Sequence, residues 1–239
     1  MSAHATWRFI GAAVLATALL ASAAVAPAAA QAPSSGDMCN NEGKAYPPDI
    51  VIYGCTAVIG TGIQNPQNLA VAYNNRGLAF RAKGDIARAL ADYDEAVRLD
   101  PHYAGVLNNR GVTLHDKGDL DRAIADYNEA IRLAPDSPTA FTNRGIAYRD
   151  KGDLGHAIAD YDEAIRLDPR YATAFTNRGN AYREMGDLDR AAGDYSEAIV
   201  LDPMNAVAFN NRGAVYLIKG DLEHALAYYS EAIRLDPRY

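Results

Sequence analysis

The sequence predicts an all-α solenoid: five helix pairs in register behind a degenerate N-terminal half-repeat. Three observations predict it. Asn-Arg-Gly recurs at 75–77, 109–111, 143–145, 177–179 and 211–213, a strict 34-residue period with no insertion; a fixed period of this size marks a repeat architecture. Gly-Asp recurs in one phase at Gly84-Asp85, Gly118-Asp119, Gly152-Asp153, Gly186-Asp187 and Gly220-Asp221. Between these marks the apolar residues fall at helical spacing.

Residues 1–30 come first and stand apart. His4 and Arg8 give a weakly basic start, an Ala-rich apolar run follows from Phe9 to Val25, and small residues close it at Pro27-Ala28-Ala29-Ala30. This layout predicts a secretory signal peptide cleaved after Ala30, and hence a periplasmic or secreted chain. The alternative is an uncleaved anchor, but the run is mostly Ala and lacks the Leu/Ile/Phe density of a stable span. Trp7, the single Trp, belongs to this segment. The net charge of −7 becomes −8 once Arg8 is removed with it. An acidic chain repels phosphate backbones and anionic lipid, which argues against nucleic acid and membrane surfaces as partners.

Residues 31–69 read as a linker and a degenerate repeat. Gln31 to Asp37 is rich in Pro, Ser and Gly and reads as flexible. Asp49 to Gly60 reads as a short apolar helix capped by Asp49, with Pro47-Pro48 and Gly43 interrupting the helix before it. Cys39 and Cys55 are the only cysteines. An even count in an exported chain favours a disulfide.

From residue 70 the chain divides into units 70–103, 104–137, 138–171, 172–205 and 206–239. Position 4 is aromatic or Leu (Tyr73, Leu107, Phe141, Phe175, Phe209), position 8 is Gly, and position 11 is Phe80, Leu114, Tyr148, Tyr182 or Tyr216. That spacing is one face of a first helix. Gly at position 15 ends it and Asp at position 16 caps the next. The second helix carries apolar residues at positions 17, 20, 21, 24, 27 and 28, and Pro at position 32 stops it.

Gly at 8, an aromatic at 11, Ala at 20, Tyr at 24, Ala at 27 and Pro at 32 with a 34-residue period resemble the tetratricopeptide repeat (TPR), over residues 70–239. The resemblance implies antiparallel helix pairs in a right-handed superhelix, first helices lining a concave face. It also places positions 8 and 24 face to face. Cys39 and Cys55 have the same separation of 16 as Gly77 and Tyr93, so cysteines in those slots come within disulfide reach and staple a unit whose first helix is broken.

The same frame sorts the candidate functional residues. Arg at position 7 (Arg76, Arg110, Arg144, Arg178, Arg212) is expected to pair with Asp at position 23 (Asp92, Asp126, Asp160, Asp194), replaced by Tyr228 in the fifth unit. Asn at position 6 (Asn75, Asn109, Asn143, Asn177, Asn211) resembles the asparagine ladder of the TPR region in O-linked N-acetylglucosamine transferases, which holds an extended peptide by its backbone. A side-chain amide both donates and accepts, so it grips any sequence; the structural alternative is that Asn-Arg-Gly serves the repeat alone. Arg81, Arg149 and Arg183 at position 12 are candidates for acidic residues of a ligand, and Leu217 with Ile218 for an apolar anchor. The basic residues of a TPR carboxylate clamp, at positions 2 and 5, are missing.

No phosphate loop, CxxC or HExxH is present, and the five histidines keep no metal-ligand spacing. The expectation is a non-catalytic protein- or peptide-binding adaptor of the cell envelope, with no catalytic residue, metal or cofactor. The rival is a self-associating scaffold, because the last second helix (Leu222, Leu226, Tyr229, Ile233) would leave apolar surface uncovered.

Overall fold

The computed structural model describes residues 33–41, 44–62 and 65–238. The segment read as a signal peptide lies outside them. Twelve helices and no strand occur among the described residues. The N-terminal unit is α1 (Ser35–Asn40) and α2 (Pro48–Gly60). The first helices of the five repeats are α3 (Pro66–Ala82), α5 (Ala104–Asp116), α7 (Pro138–Asp150), α9 (Ala172–Glu184) and α11 (Ala206–Ile218). Their second helices are α4 (Ile86–Leu99), α6 (Leu120–Leu133), α8 (Leu154–Leu167), α10 (Leu188–Leu201) and α12 (Leu222–Leu235).

Each helix packs on the next, and each first helix also touches the first helices before and after it. In a curved stack the row whose members touch one another is the inner one. The first helices therefore line the inner face. Among the described residues none of the helices is long and apolar enough to cross a membrane.

The turn chemistry follows the Gly-Asp pairs. All five position-15 glycines are left-handed, with φ between 77° and 84°. The Asp after each accepts from the backbone N–H three residues on, as Asp153 does from His156. The position-19 side chain then folds back over the position-11 ring. Arg88 lies 4.3 Å from the centre of Phe80, and His156 stacks on Tyr148 at 5.1 Å.

Position 8 is Gly because of what faces it. A Cβ on Gly145 would stand 2.6 Å from the ring of Tyr161, and Gly77, Gly111 and Gly179 meet Tyr93, Tyr127 and Tyr195 in the same way. All four rings are buried. Gly145→Ala is expected to cost about 1–3 kcal/mol by overpacking, even though Ala improves helix propensity by roughly 1 kcal/mol. A urea-denaturation midpoint as high as wild type would contradict this account of the crossing.

In the N-terminal unit Cys39 and Cys55 occupy the Gly and Tyr slots and form a disulfide, with Cα atoms 4.5 Å apart. The helices there approach still more closely: a Cβ on Gly54 would lie 2.6 Å from that of Met38. Two expectations are corrected. Residues 34–37, read as flexible, begin α1, because Ser34 accepts from the Asp37 N–H while the Asp37 carboxylate accepts from the Ser34 N–H, a reciprocal cap. Asp49 caps nothing; α2 starts from Pro47 and Pro48, and the Asp49 carboxylate pairs with Lys83. The degenerate unit is a helix pair with a short first member, in keeping with its broken first helix, and α3 begins at Pro66, four residues before the repeat frame.

Candidate functional site on the face of the first helices

Arg at position 7 is the deepest charged row. Arg110 Nε and Nη2 donate to the two oxygens of Asp126 at 2.8 and 2.7 Å, and Nη1 donates to Asp94 on the preceding second helix at 2.8 Å. Arg144 holds Asp160 and Asn128 in the same way, Arg178 holds Asp194 and Asp162, and Arg76 holds Asp92 and Thr56. The bond to Asp160 holds the Arg144 guanidinium above its ordinary pKa. Each guanidinium thus ties three helices together. The expected Arg–Asp pairs are present; the third partner was missed. In the fifth unit Tyr228 replaces the acid, and Arg212 lies 4.5 Å over its ring with no hydrogen bond or ion pair among the described residues.

Asn at position 6 lies one layer nearer the inner face, and each amide has an internal partner. Asn109 Nδ2 donates to Asn74 Oδ1 and Asn143 Nδ2 to Asn108 Oδ1, both at 2.9 Å. Asn211 donates to Asn180 at 3.0 Å, Asn75 to the Cys39 carbonyl at 3.2 Å, and Asn177 to its own helix at Thr173 O. Asn177 bonds within its own helix; the unit before it has Thr142 in place of the position-5 amide that Asn109 and Asn143 use. All of these bonds but that of Asn177 stitch one first helix to the one before. Sequence reasoning missed the acceptors, most of which sit in the unit before. Asn109, Asn143, Asn177 and Asn211 keep their Oδ1 and second N–H, and all five residues are half-buried.

The row at positions 12 and 13 is the outermost. Arg81 grips Asp116 of the next unit at 2.7 Å, His115 Nε2 meets Asp150 of the next at 2.8 Å, and Arg149 reaches Asp150 at 2.9 Å and Glu184 at 3.8 Å. Every one of these cations therefore faces an acid 35 residues on or beside it. Arg183 does not: Ile218 stands at the matching place, and Arg183 has no ion pair among the described residues. Beside it Leu217 and Ile218 are 49% and 61% exposed. Beneath the row lie the position-24 phenols. Burial pushes Tyr93 and Tyr195 up to about 12 and raises Tyr127 and Tyr161 too. On the opposite side of the last unit, Leu222, Leu226 and Ile233 of α12 are exposed. No group of three or more His, Cys, Asp or Glu able to hold a metal occurs among the described residues.

Known proteins share this architecture. A tetratricopeptide repeat family matches residues 74–138, a TPR repeat family matches 145–185 and 179–218, and a further tetratricopeptide repeat family matches 206–239. The crystal structure of MamA is 28% identical with a TM-score of 0.60, over 68% of this chain and 95% of that one. The structure of YrrB, described as a TPR protein with an unusual peptide-binding site, is 25% identical with a TM-score of 0.58, over 77% of this chain and 92% of that one. A tetratricopeptide repeat protein from Parabacteroides merdae shares the fold at 20% identity and a TM-score of 0.69, over 84% of this chain and 76% of that one. Among curated proteins no sequence matches. The repeat phase, the helix pairing and these matches agree, and the chain belongs to the tetratricopeptide repeat family.

Proposed function

We propose that the chain is a non-catalytic adaptor of the cell envelope that binds an extended peptide or protein segment along the inner face of the first helices. The observation that carries this reading is the break in the outer charged row. Arg81 and Arg149 arrive already paired, so of the three arginines expected to meet acidic ligand residues only Arg183 is free to do so. It stands beside the exposed Leu217 and Ile218. A cation next to an apolar patch takes a segment with an acidic residue beside apolar ones. The free Oδ1 and N–H of Asn143 and Asn177 offer the backbone of that segment a partner. The unusual peptide-binding site of YrrB supports the mode, and the signal-like layout of residues 1–30 supports the compartment.

Selection from a displayed random-peptide library against the full chain tests it. The enriched peptides should share an acidic residue flanked by apolar ones. Arg183→Glu should weaken the best of them at least tenfold in fluorescence anisotropy, the loss of a charge-assisted hydrogen bond of about 1.5–3 kcal/mol. Unchanged affinity in Arg183→Glu would remove the groove reading. A second reading, self-association, is favoured by the exposed Leu222, Leu226 and Ile233 of α12. It requires that the wild type sediment as an oligomer and that Leu226→Lys with Ile233→Lys turn it monomeric without loss of helicity.

A further inference from the structure

A separate site lies in the N-terminal unit, and it does not rest on the groove reading. Helix α1 has 6 residues where α5, α7, α9 and α11 have 13. At ~1.5 Å per residue it falls short by roughly 10 Å. It stops at Asn40 because Asn41 turns left-handed, with φ 46°. The flank of α3 that a full-length first helix would cover is left open, and a cleft of about 460 Å³ takes its place. That is within the ~300–1,000 Å³ common for ligand pockets.

The walls are mostly apolar, with Leu78, Ala79 and Ala82 of α3 on one side and Tyr46 and Val51 on the other; Asn40, and Asn75 of the position-6 row, also line the cleft. Leu78 is 37% exposed there. The rim is different in kind. Asn41 Oδ1 is taken by the Tyr46 N–H at 2.7 Å, so its amide nitrogen remains as a donor. Lys44 also lines the cleft, held at a φ of 58° that residues other than Gly rarely adopt. Its ammonium has no ion pair among the described residues. Asp37 is held by Ser34 and Asp49 by Lys83. Among the described residues, an apolar hollow thus opens on a rim with one unmatched positive charge, Lys44, and one free amide donor, Asn41.

A single cation matches a single negative charge. A phosphate dianion would stay half-neutralised in a chain already at −7. We propose that this cleft binds an apolar group that ends in a carboxylate, the apolar part against Leu78, Ala79 and Val51 and the carboxylate on Lys44. Two sources share that chemistry: the last residue of a peptide, and a free aliphatic or aromatic acid.

Isothermal titration calorimetry on the full chain separates the outcomes. N-acetylphenylalanine should bind, and its carboxamide should bind at least tenfold more weakly. Lys44→Ala, an exposed loop change, should erase that preference. Ala82→Trp, at the exposed end of α3, should fill the cleft and abolish both, with the helical circular dichroism unchanged. Arg183→Glu should leave this binding intact, which keeps the test apart from that of the groove. A hexapeptide ending in Phe that binds more tightly than the free acid assigns the site to a peptide terminus; equal affinity assigns it to the acid alone. Equal binding of acid and carboxamide, a preference that survives Lys44→Ala, or no heat at millimolar ligand would overturn the proposal.

Discussion

Asp160→Ala is expected to destabilise the repeat array by about 3 kcal/mol, although Asp160 belongs to no proposed binding surface. The reason is burial, not distance. Arg144–Asp160 and Arg166–Glu163 are both 2.6 Å ion pairs, but their side chains are 20% and 8% exposed in the first and 65% and 34% in the second. Removing one partner of a buried pair leaves an uncompensated charge and costs ~3–5 kcal/mol; Arg144 keeps its bond to Asn128, which sets the effect at the lower end. Glu163→Ala, in the exposed pair, should cost far less, because solvent screens that pair. The fifth unit makes a further prediction, since it carries Tyr228 where Asp160 stands in the third, with Arg212 4.5 Å over the ring. Asp160→Tyr should therefore cost less than Asp160→Ala, because a ring face replaces part of what the carboxylate supplied. Urea denaturation of the three variants ranks them. A cost for Asp160→Ala no greater than that for Glu163→Ala would mean that the arginine row does not hold the helices together.

The contrast between that row and the asparagine row shows what a repeat sequence discloses. Arg144 and Asp160 lie 16 residues apart within one unit, so each repeat restates the pair and the pairing was legible. Gly145 against Tyr161, and Cys39 against Cys55, share that separation and were legible for the same reason. The position-6 amides point across the boundary between units. The acceptor of Asn143 is Asn108 and that of Asn211 is Asn180, at different positions of the frame. No fixed spacing announces them, so a row read as open to a ligand is also a seam between repeats. Arg149 was misjudged similarly: its acids are Asp150 beside it and Glu184 in the next unit. The N-terminal unit was hardest to read because composition outweighed local chemistry. Pro and Gly around Ser34 suggested a flexible linker, while Ser34 and Asp37 at a spacing of three encode the cap that starts α1.

Raising the pH past 10 should unfold the array steeply, and the four buried position-24 tyrosines are the cause. An unfolded chain ionises its phenols near pH 10. Burial holds Tyr93 and Tyr195 protonated up to about 12, and Tyr127 and Tyr161 are raised as well. Above pH 10 the unfolded state therefore binds fewer protons than the folded one, so stability falls as pH rises and is fully present below pH 10. Each phenol accounts for ~1.4 kcal/mol per pH unit while only the unfolded state ionises, and four give roughly 5 kcal/mol per unit. Against a total stability on the order of 5–15 kcal/mol, two pH units remove most or all of it. Circular dichroism at the helix band, recorded with phenolate absorbance, follows both processes at once. The exposed tyrosines should titrate first, and the buried ones only in step with the loss of helix. Tyr161→Phe isolates the term. The Tyr161 hydroxyl has no hydrogen-bond partner among the described residues, so its removal should leave stability at pH 7 unchanged or slightly raised while extending the alkaline limit. A single phenolate wave near pH 10 with helicity intact to pH 12 would show that these rings reach solvent without unfolding. The close Gly–Tyr crossing would then be looser than the packing of Tyr161 against Gly145 requires.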